Sequence, residues 1–280
     1  MEIFLDCLPC TLRQVLEASR MVTNDTKLQE KIMEESLKVL SNYKNFKCSP
    51  DMGRAMHNIV KKYTGVLDPY RKIKLRDMEE AKKVYPMLKR FLKEKDGSNY
   101  WALKVAATGN IIDSAIINIK DIESVVEEEL ERKFVVCDID IFEEKLKTAK
   151  SLLILGDNAG ETVFDKVFIE NLPDINITYA VRSEPVLNDT TEKEAYDSGL
   201  GECTKIISTG CSAPGLILKE CSNEFLNIFN TADIVISKGQ GNFEALSDYN
   251  RKVFFLLKAK CPKISSMLDV DLYEYVFKNK

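Results

Sequence analysis

The stretch from Ser151 to Thr191 limits the folds open to this chain more than any other. An apolar run, Ser151-Leu152-Leu153-Ile154-Leu155, stops at Gly156-Asp157-Asn158-Ala159-Gly160-Glu161 and leads into a span of helical character. A second apolar run, ending at Val181, gives way to Arg182-Ser183-Glu184-Pro185-Val186-Leu187-Asn188-Asp189. Strand, loop, helix, strand, loop is the repeating unit of an open parallel sheet. Both loops leave the ends of their strands, at the edge where such sheets bind ligands. Asp157, Asn158 and Asp189 should therefore converge there as hard oxygen donors, which suit Mg²⁺, Mn²⁺ or Co²⁺ better than a structural zinc. The unit predicts metal-assisted chemistry at that edge.

The same alternation continues to the end of the chain. Strands are expected at 151–155, 175–181, 204–207, 234–237 and 253–257, with helices between them, as in a doubly wound parallel sheet. Residues 1 to about 100 read instead as helices. Leu12, Val15 and Leu16, and then Leu28, Ile32, Met33, Leu37 and Leu40, recur at helical spacing. Pro50 and Asp51 mark a helix start ahead of Met56, Ile59 and Val60. Asp96-Gly97-Ser98-Asn99 breaks the pattern and divides a helical domain, 1–98, from an α/β domain, 99–280. An apolar helix is expected over 100–117, interrupted at Thr108-Gly109-Asn110, and charged helices over 118–150, with 127–132 as a solvated face.

Composition narrows the function. A net charge of −4 argues against a nucleic-acid binder, although forty Lys and Arg leave room for a local phosphate-binding patch. No apolar run approaches the roughly 20 residues of a membrane span. The start, MEIFLDCLPC, lacks the basic and long apolar regions of a secretion signal, so a cytoplasmic protein is expected. Eight cysteines in such a chain are expected to be reduced, buried or metal-linked. With His57 the only histidine, a His-rich zinc site is excluded, and any Ser–His–Asp or Cys–His arrangement would depend on it alone. Its helical setting, Met56-His57-Asn58-Ile59, reads as a packed core histidine.

Three further segments carry candidate chemistry. Ser237-Lys238-Gly239-Gln240-Gly241-Asn242-Phe243-Glu244 follows a strand and offers a phosphate or hydroxyl cradle, without the spacing of a nucleotide P-loop. Lys258 closes the last expected strand and can neutralise a phosphoryl oxygen, whereas Lys260 reads more simply as surface charge. Arg182, directly after its strand, has the same two readings. Cys7-Leu8-Pro9-Cys10 is a CxxC whose spacing suits metal binding or redox chemistry, yet no second CxxC completes a tetrahedral site. Buried structural thiols are the simpler expectation.

Taken together, these segments resemble the DUF89 family of damage-control phosphatases, and most closely its archaeal and bacterial subfamily with an N-terminal CxxC. The matching pieces are Cys7 to Cys10, the stretch from Cys48 to His57, Asp68-Pro69-Tyr70, Thr108-Gly109-Asn110, Gly156 to Glu161, Arg182 to Thr191, Lys238 to Glu244, and Lys258. The resemblance implies a helical part joined to a Rossmann-like α/β/α domain with a mainly parallel sheet. It implies one divalent metal (Mn, Co, Ni or Mg) on Asp157, Asn158 and Asp189. Phosphate contact falls to Lys258, Lys238 and Arg182 are expected to offset phosphoryl charge with it, Asn110 and Asn242 complete the expected substrate- and phosphate-binding set, and Cys7 and Cys10 either bind a second metal or are structural. The implied activity is hydrolysis of phosphate from small phosphometabolites, including damaged or surplus cofactor intermediates and sugar phosphates. Asp157 and Lys258 are the catalytic candidates, and sequence leaves open whether Asp157 is a nucleophile or orients a water.

Two other readings compete. An S-adenosylmethionine-dependent carboxyl methyltransferase predicts a glycine-rich loop after the first strand, where this chain has an acidic one. A non-enzymatic phosphometabolite- or metal-binding module would bind without turnover. The partner expected is a small phosphorylated metabolite rather than nucleic acid or membrane, and the oligomeric state is left open.

Overall fold

The computed structural model describes residues 1–112, with the backbone alone at Ile112, and residues 122–280. The helical spacing of the first hundred residues builds α1 (Cys7–Val22), α2 (Thr26–Leu40), α3 (Ser49–Thr64) and α4 (Arg71–Glu94). Asp25 caps α2 by accepting from the amides of Lys27 and Leu28. Pro50 lies in the first turn of α3 and left-handed Gly65 ends it, so both ends carry the residues that suit them. Helices α1 to α3 close around Val15, Ile32, Met52, Met56 and Val60. Helix α4 turns its Ala81, Val84, Leu88 and Leu92 into the core of the sheet instead.

Helices α5 (Asn99–Thr108), α6 (Ile122–Glu131) and α7 (Ile139–Leu146) follow. The helix expected over 100–117 is α5 with a 3₁₀ turn at Gly109–Ile112; the rest of that span lies outside the described residues. The all-helical reading of 118–150 needs correction, because β1 (Phe134–Cys137) lies within it. Four residues are too few to display a period of two between charged helices.

The five expected strands form as β2 (Ser151–Leu155), β3 (Asn176–Val181), β4 (Lys205–Ser208), β5 (Ile234–Lys238) and β6 (Phe254–Lys258); β7 (Tyr275–Asn279) completes the sheet. The order is β1-β7-β6-β5-β2-β3-β4. The strands from β6 to β4 are mutually parallel, β7 is antiparallel to β6, and β1 runs parallel to β7. Alternate residues feed two cores: Leu152, Ile154, Ile234, Ile236, Phe254 and Leu256 on one face, and Leu153, Leu155, Val235, Phe255 and Leu257 on the other. A sheet buried on both faces reads as continuous apolar runs, as these strands do. The intervening helices are α8 (Glu161–Ile169), α9 (Glu192–Asp197), α10 (Asn223–Thr231), α11 (Gln240–Leu246) and α12 (Pro262–Leu268). Among the described residues, no helix is long and apolar enough to cross a membrane.

The chain winds outward from β2 through β3 to β4 on one side, and from β5 to β6 on the other. Strand order therefore reverses between β2 and β5, and the crevice beyond their carboxyl ends is the ligand position of such a sheet.

Candidate functional site

Gly156-Asp157 leaves β2 and Lys238-Gly239 leaves β5, so the two loops meet at the reversal point. A side chain at Gly239 would place its Cβ 1.9 Å from Asp157 Oδ2, and its φ of +78° is a region that L side chains rarely adopt. Glycine is required there because the Asp157 carboxylate occupies the space.

The loops after β2 and β3 are zipped together. The Ala159 amide donates to Asn188 O (2.9 Å), the Thr190 amide donates to Asp157 O (2.7 Å), and Asn158 bridges Asp189 in antiparallel fashion. This pairing brings Asp157, Asn158 and Asp189 to one wall of a cavity of about 360 Å³. Thr191 and Glu194 then form a capping box that starts α9, fixing the chain beyond Asp189.

Behind these residues lies a buried polar layer. Arg182, fully buried, donates from Nε to Asp189 Oδ2 (2.7 Å) and from a terminal nitrogen to Asn242 Oδ1 (3.0 Å). Asn242 in turn donates to Lys238 O (2.8 Å) and Gly156 O (3.2 Å). Lys238 Nζ sits 2.6 Å from both Glu161 Oε2 and Asp165 Oδ1 and donates to Ala106 O at 2.9 Å. Asp165 also accepts from the Tyr179 hydroxyl (2.7 Å). Glu161 Oε1 accepts from the side-chain amides of Asn110 (2.6 Å) and Asn158 (3.2 Å). Each of those amides thus spends its nitrogen on Glu161 and keeps its oxygen as an acceptor. Asn110 Oδ1 is buried with no partner among the described residues.

This layer corrects part of the reading made from sequence. Arg182, Lys238 and Asn242 do not line the cavity. Their polar groups are engaged by Asp189, Glu161, Asp165 and backbone carbonyls, so they support the loops instead of facing a phosphate. Asn110 and Lys258 do line it, together with Lys260 and Lys263. Lys260 is exposed, as its sequence suggested, yet it lines the cavity with Cys261 and Lys263 because the chain leaving β6 runs along the cavity's wall. Lys258 Nζ is held 2.8 Å from Glu129 Oε2, and Glu129 also accepts from the Tyr275 hydroxyl (2.5 Å) and from Arg132 (3.1 Å). Glu129 lies within the run read as a solvated face; β7, unseen in the sequence, supplies its tyrosine.

The electrostatics are those of an acidic pocket. Burial pushes the Asp157 carboxyl well above the carboxylate range, with Asp189 and Glu161 adding repulsion. Asp189 is raised by the same burial even though Arg182 pulls it down. Asp165 is pushed up to about 6 by burial, against the pull of Lys238. Four carboxylates, on Asp157, Asp189, Glu161 and Asp165, thus face two ion-paired buried cations, Arg182 and Lys238. Hard oxygen donors on Asp157, Asn158 and Asp189, with the unpartnered Asn110 Oδ1 beside them on Glu161 and more carboxyl groups than cations, fit a divalent cation. Among the described residues no three His, Cys, Asp or Glu side chains are gathered to hold a metal ion. The candidate set is a mixed one, two carboxylates and one carboxamide.

Cys7 and Cys10, in the first turn of α1, line the same cavity. Cys7 is half-buried and Cys10 exposed, so the expectation of buried thiols fails for Cys10, and burial pushes both thiols up, away from the thiolate a soft metal needs. Cys48 and His57 are buried in and beside the helical core and are not part of the cavity lining. His57 packs edge-on against Tyr70, at 5.9 Å between ring centroids.

The structure thus sets an oxygen-donor cavity, with lysines on its wall, at the reversal point of a Rossmann-like sheet. Comparison with known proteins assigns the family. Residues 3–276 match the family model described as the damage-control phosphatase ARMT1-like domain. A damage-control phosphatase of Pyrococcus horikoshii is 36% identical over 276 residues, covering 96% of this chain and 95% of that protein. One of Archaeoglobus fulgidus is 30% identical over 280 residues, covering 97% of each. The crystal structure of a DUF89 family protein from Pyrococcus horikoshii superposes with a TM-score of 0.93 at 35% identity, over the full length of both chains. The chain belongs to the damage-control phosphatase ARMT1-like (DUF89) family.

Proposed function

We propose that this chain is a divalent-metal-dependent phosphatase acting on small phosphorylated metabolites, among them sugar phosphates and damaged or surplus cofactor intermediates. The observation that carries this reading is the zipping of the β2 and β3 loops, which sets two carboxylates and a carboxamide in a cavity that Lys258 also lines. Family membership supports the phosphatase half, since two of the relatives matched bear that name.

Asp157, Asn158 and Asp189 would hold the ion, which when bound polarises a phosphoryl oxygen as a Lewis acid. The chain's own residues do the rest. Lys258 offsets charge on the phosphoryl oxygens, and Glu129 fixes the direction of its side chain. Arg182, paired with Asp189 and Asp157, and Glu161, bonded to Asn158, hold the loops in place without touching substrate. Asp157 either attacks phosphorus through its carboxylate or orients the water that does so.

The test is a hydrolysis screen on metal-stripped protein, with p-nitrophenyl phosphate and a panel of sugar phosphates, supplemented in turn with Mn²⁺, Co²⁺, Ni²⁺ and Mg²⁺. Turnover that needs an added ion, at about one ion per chain by elemental analysis, is expected. Ion binding without turnover of any phosphomonoester would leave a binding module; turnover without metal would remove the ion from the reading.

A further inference from the structure

The loop between β4 and α10 carries a feature that the phosphatase reading does not use. Its base is closed by a backbone hydrogen bond from the Ser222 amide to Thr209 O (3.0 Å), while the Thr209 amide donates to Val181 O (2.9 Å). Gly210, at φ +79°, makes the closure possible, because a Cβ there would lie 2.8 Å from the Ser222 nitrogen. Pairing Thr209 with Ser222 brings Cys211 and Cys221 together at the neck, where a Cβ on Gly210 would also lie 3.5 Å from the Cys221 carbonyl carbon and the Cys221 thiol donates to Ile217 O (3.5 Å). Cys211 is fully buried and Cys221 half-buried.

We propose that Cys211 and Cys221 are a peroxide-responsive dithiol, in which Cys211 is oxidised first and Cys221 closes the disulfide. The neck is built to favour charge on one sulfur of the pair. Cys211 Sγ is met by the Cys221 thiol, by the backbone amides of Ala213 and Ile217, and by the nearby Arg182 guanidinium. Its contacts as a donor are long, 3.8 Å to Gly215 O and 3.9 Å to Glu220, whose carboxylate is already paired with Arg54. These groups pull the Cys211 thiol below the ordinary range, against its burial, while the neighbouring Cys211 sulfur and burial push that of Cys221 up, dividing the pair into an attacking and a closing thiol. Burial of Cys211 favours an oxidant of near-water size over a bulky disulfide, which points to a hydroperoxide.

The chemistry balances. Cys211 sulfur attacks one peroxide oxygen, the O–O bond breaks, and the leaving hydroxide takes the Cys211 proton to form water, giving a sulfenic acid. Cys221 sulfur then attacks the sulfenic sulfur, the S–O bond breaks, and the departing hydroxide leaves as water with the Cys221 proton. Two thiols lose two electrons, and one peroxide becomes two waters.

The reduced full-length protein is treated with hydrogen peroxide, its remaining thiols are alkylated under denaturing conditions, and the tryptic peptides are mapped. Cleavage after Lys219 separates the two cysteines, so the bridge joins peptide 206–219 to peptide 220–238, at two hydrogens below their summed mass. That product is expected at lower peroxide doses than oxidation of the exposed Cys10, and it is reversed by dithiothreitol. In Cys221→Ser, a dimedone adduct is expected on Cys211. Recovery of both cysteines in alkylated form at doses that oxidise Cys10, or no adduct on Cys211 in a folded Cys221→Ser protein, overturns the proposal.

Discussion

Asp157 and Asp189 approach the same cavity from successive strand ends, yet their surroundings differ. Asp189 is backed by Arg182 at 2.7 Å, whereas the nearest Arg182 nitrogen to Asp157 is at 3.8 Å. Asp157→Ala should remove a ligand and leave the loop pairing in place, because that pairing runs through backbone atoms. Asp189→Ala also strands a buried guanidinium, so it should lose stability as well as metal. Elemental analysis and turnover should show both variants metal-poor and nearly inactive, with thermal unfolding lowered more for Asp189→Ala; wild-type metal content in both would remove these residues from the ion. Lys258 belongs to the other half of the site. Lys258→Ala should cost on the order of 10²–10³ in turnover with metal content unchanged, as for other single oxyanion contacts. Glu129→Gln should give a smaller loss in kcat, because it releases the lysine without removing its charge, and Glu129→Asp should recover part of it. Unchanged turnover in Lys258→Ala would reduce that lysine to rim charge.

At the scale of elements, the site depends on how β5 is tied to α5 and α8. Beside the apolar core that the three elements share, Lys238 makes a polar tie, through Ala106 O on α5 and the Glu161 and Asp165 carboxylates on α8. Lys238→Met keeps the stem but leaves two buried carboxylates without their cation, at an expected cost of about 3 to 5 kcal/mol. Urea unfolding at pH 7 measures this, and a cost below 1 kcal/mol would mean that Glu161 and Asp165 take up protons or water instead. The same lysine shows what was legible in the sequence. Its place at a strand end beside glycines could be read directly, because strands and breaks follow local periodicity. Whether its ammonium faced a ligand or two carboxylates could not, since Asp165 lies a full helical turn inside α8 and Ala106 on another helix. Asp157, Asn158 and Asp189 were legible because each follows an apolar run, and strand-end position in a parallel sheet is itself a statement about three dimensions. β1 and β7 were not: β1 is four residues at the sheet edge and, among the described residues, pairs only with β7, 140 residues or more along the chain as in Phe134 with Tyr275, while β7 is a short strand held between β1 and β6. Glu129 stayed hidden with them, since its partners Lys258 and Tyr275 lie on β6 and β7.

Over the whole molecule, α3 joins the helical part to the sheet. Pro50 and Gly53 line the cavity with Pro214, packed so closely that a Cβ on Gly215 would lie 2.6 Å from Pro50, while Arg54 pairs with Glu220 and Lys61 donates to Pro185 O. His57 is buried midway along that helix, with Nε2 unpartnered among the described residues, Tyr70 against its ring and Lys61 one turn on. Burial, with a smaller contribution from Lys61, pushes it down from 6.5 to about 4. The sign follows from linkage: the unfolded chain takes up the proton first, so the neutral histidine contributes its full stability above about pH 6.5 and loses it as pH falls toward 4. The whole span is about 3 kcal/mol, of which about 2 kcal/mol is lost between pH 7 and pH 5. Asp157, Asp189 and Asp165 act in the opposite direction, because their raised carboxyls bind protons more readily in the folded state. The wild-type profile therefore mixes both, and the comparison that isolates His57 is with His57→Gln, in which the carboxylates are unchanged. Urea unfolding at pH 7 and pH 5 should show the variant less stable than wild type at pH 7, with the gap narrowed by about 2 kcal/mol at pH 5. A gap that stays constant would mean that His57 is protonated in the folded protein and that the α3 core admits the charge. If the gap closes, acid loosens the same helix whose amino-terminal half walls the cavity.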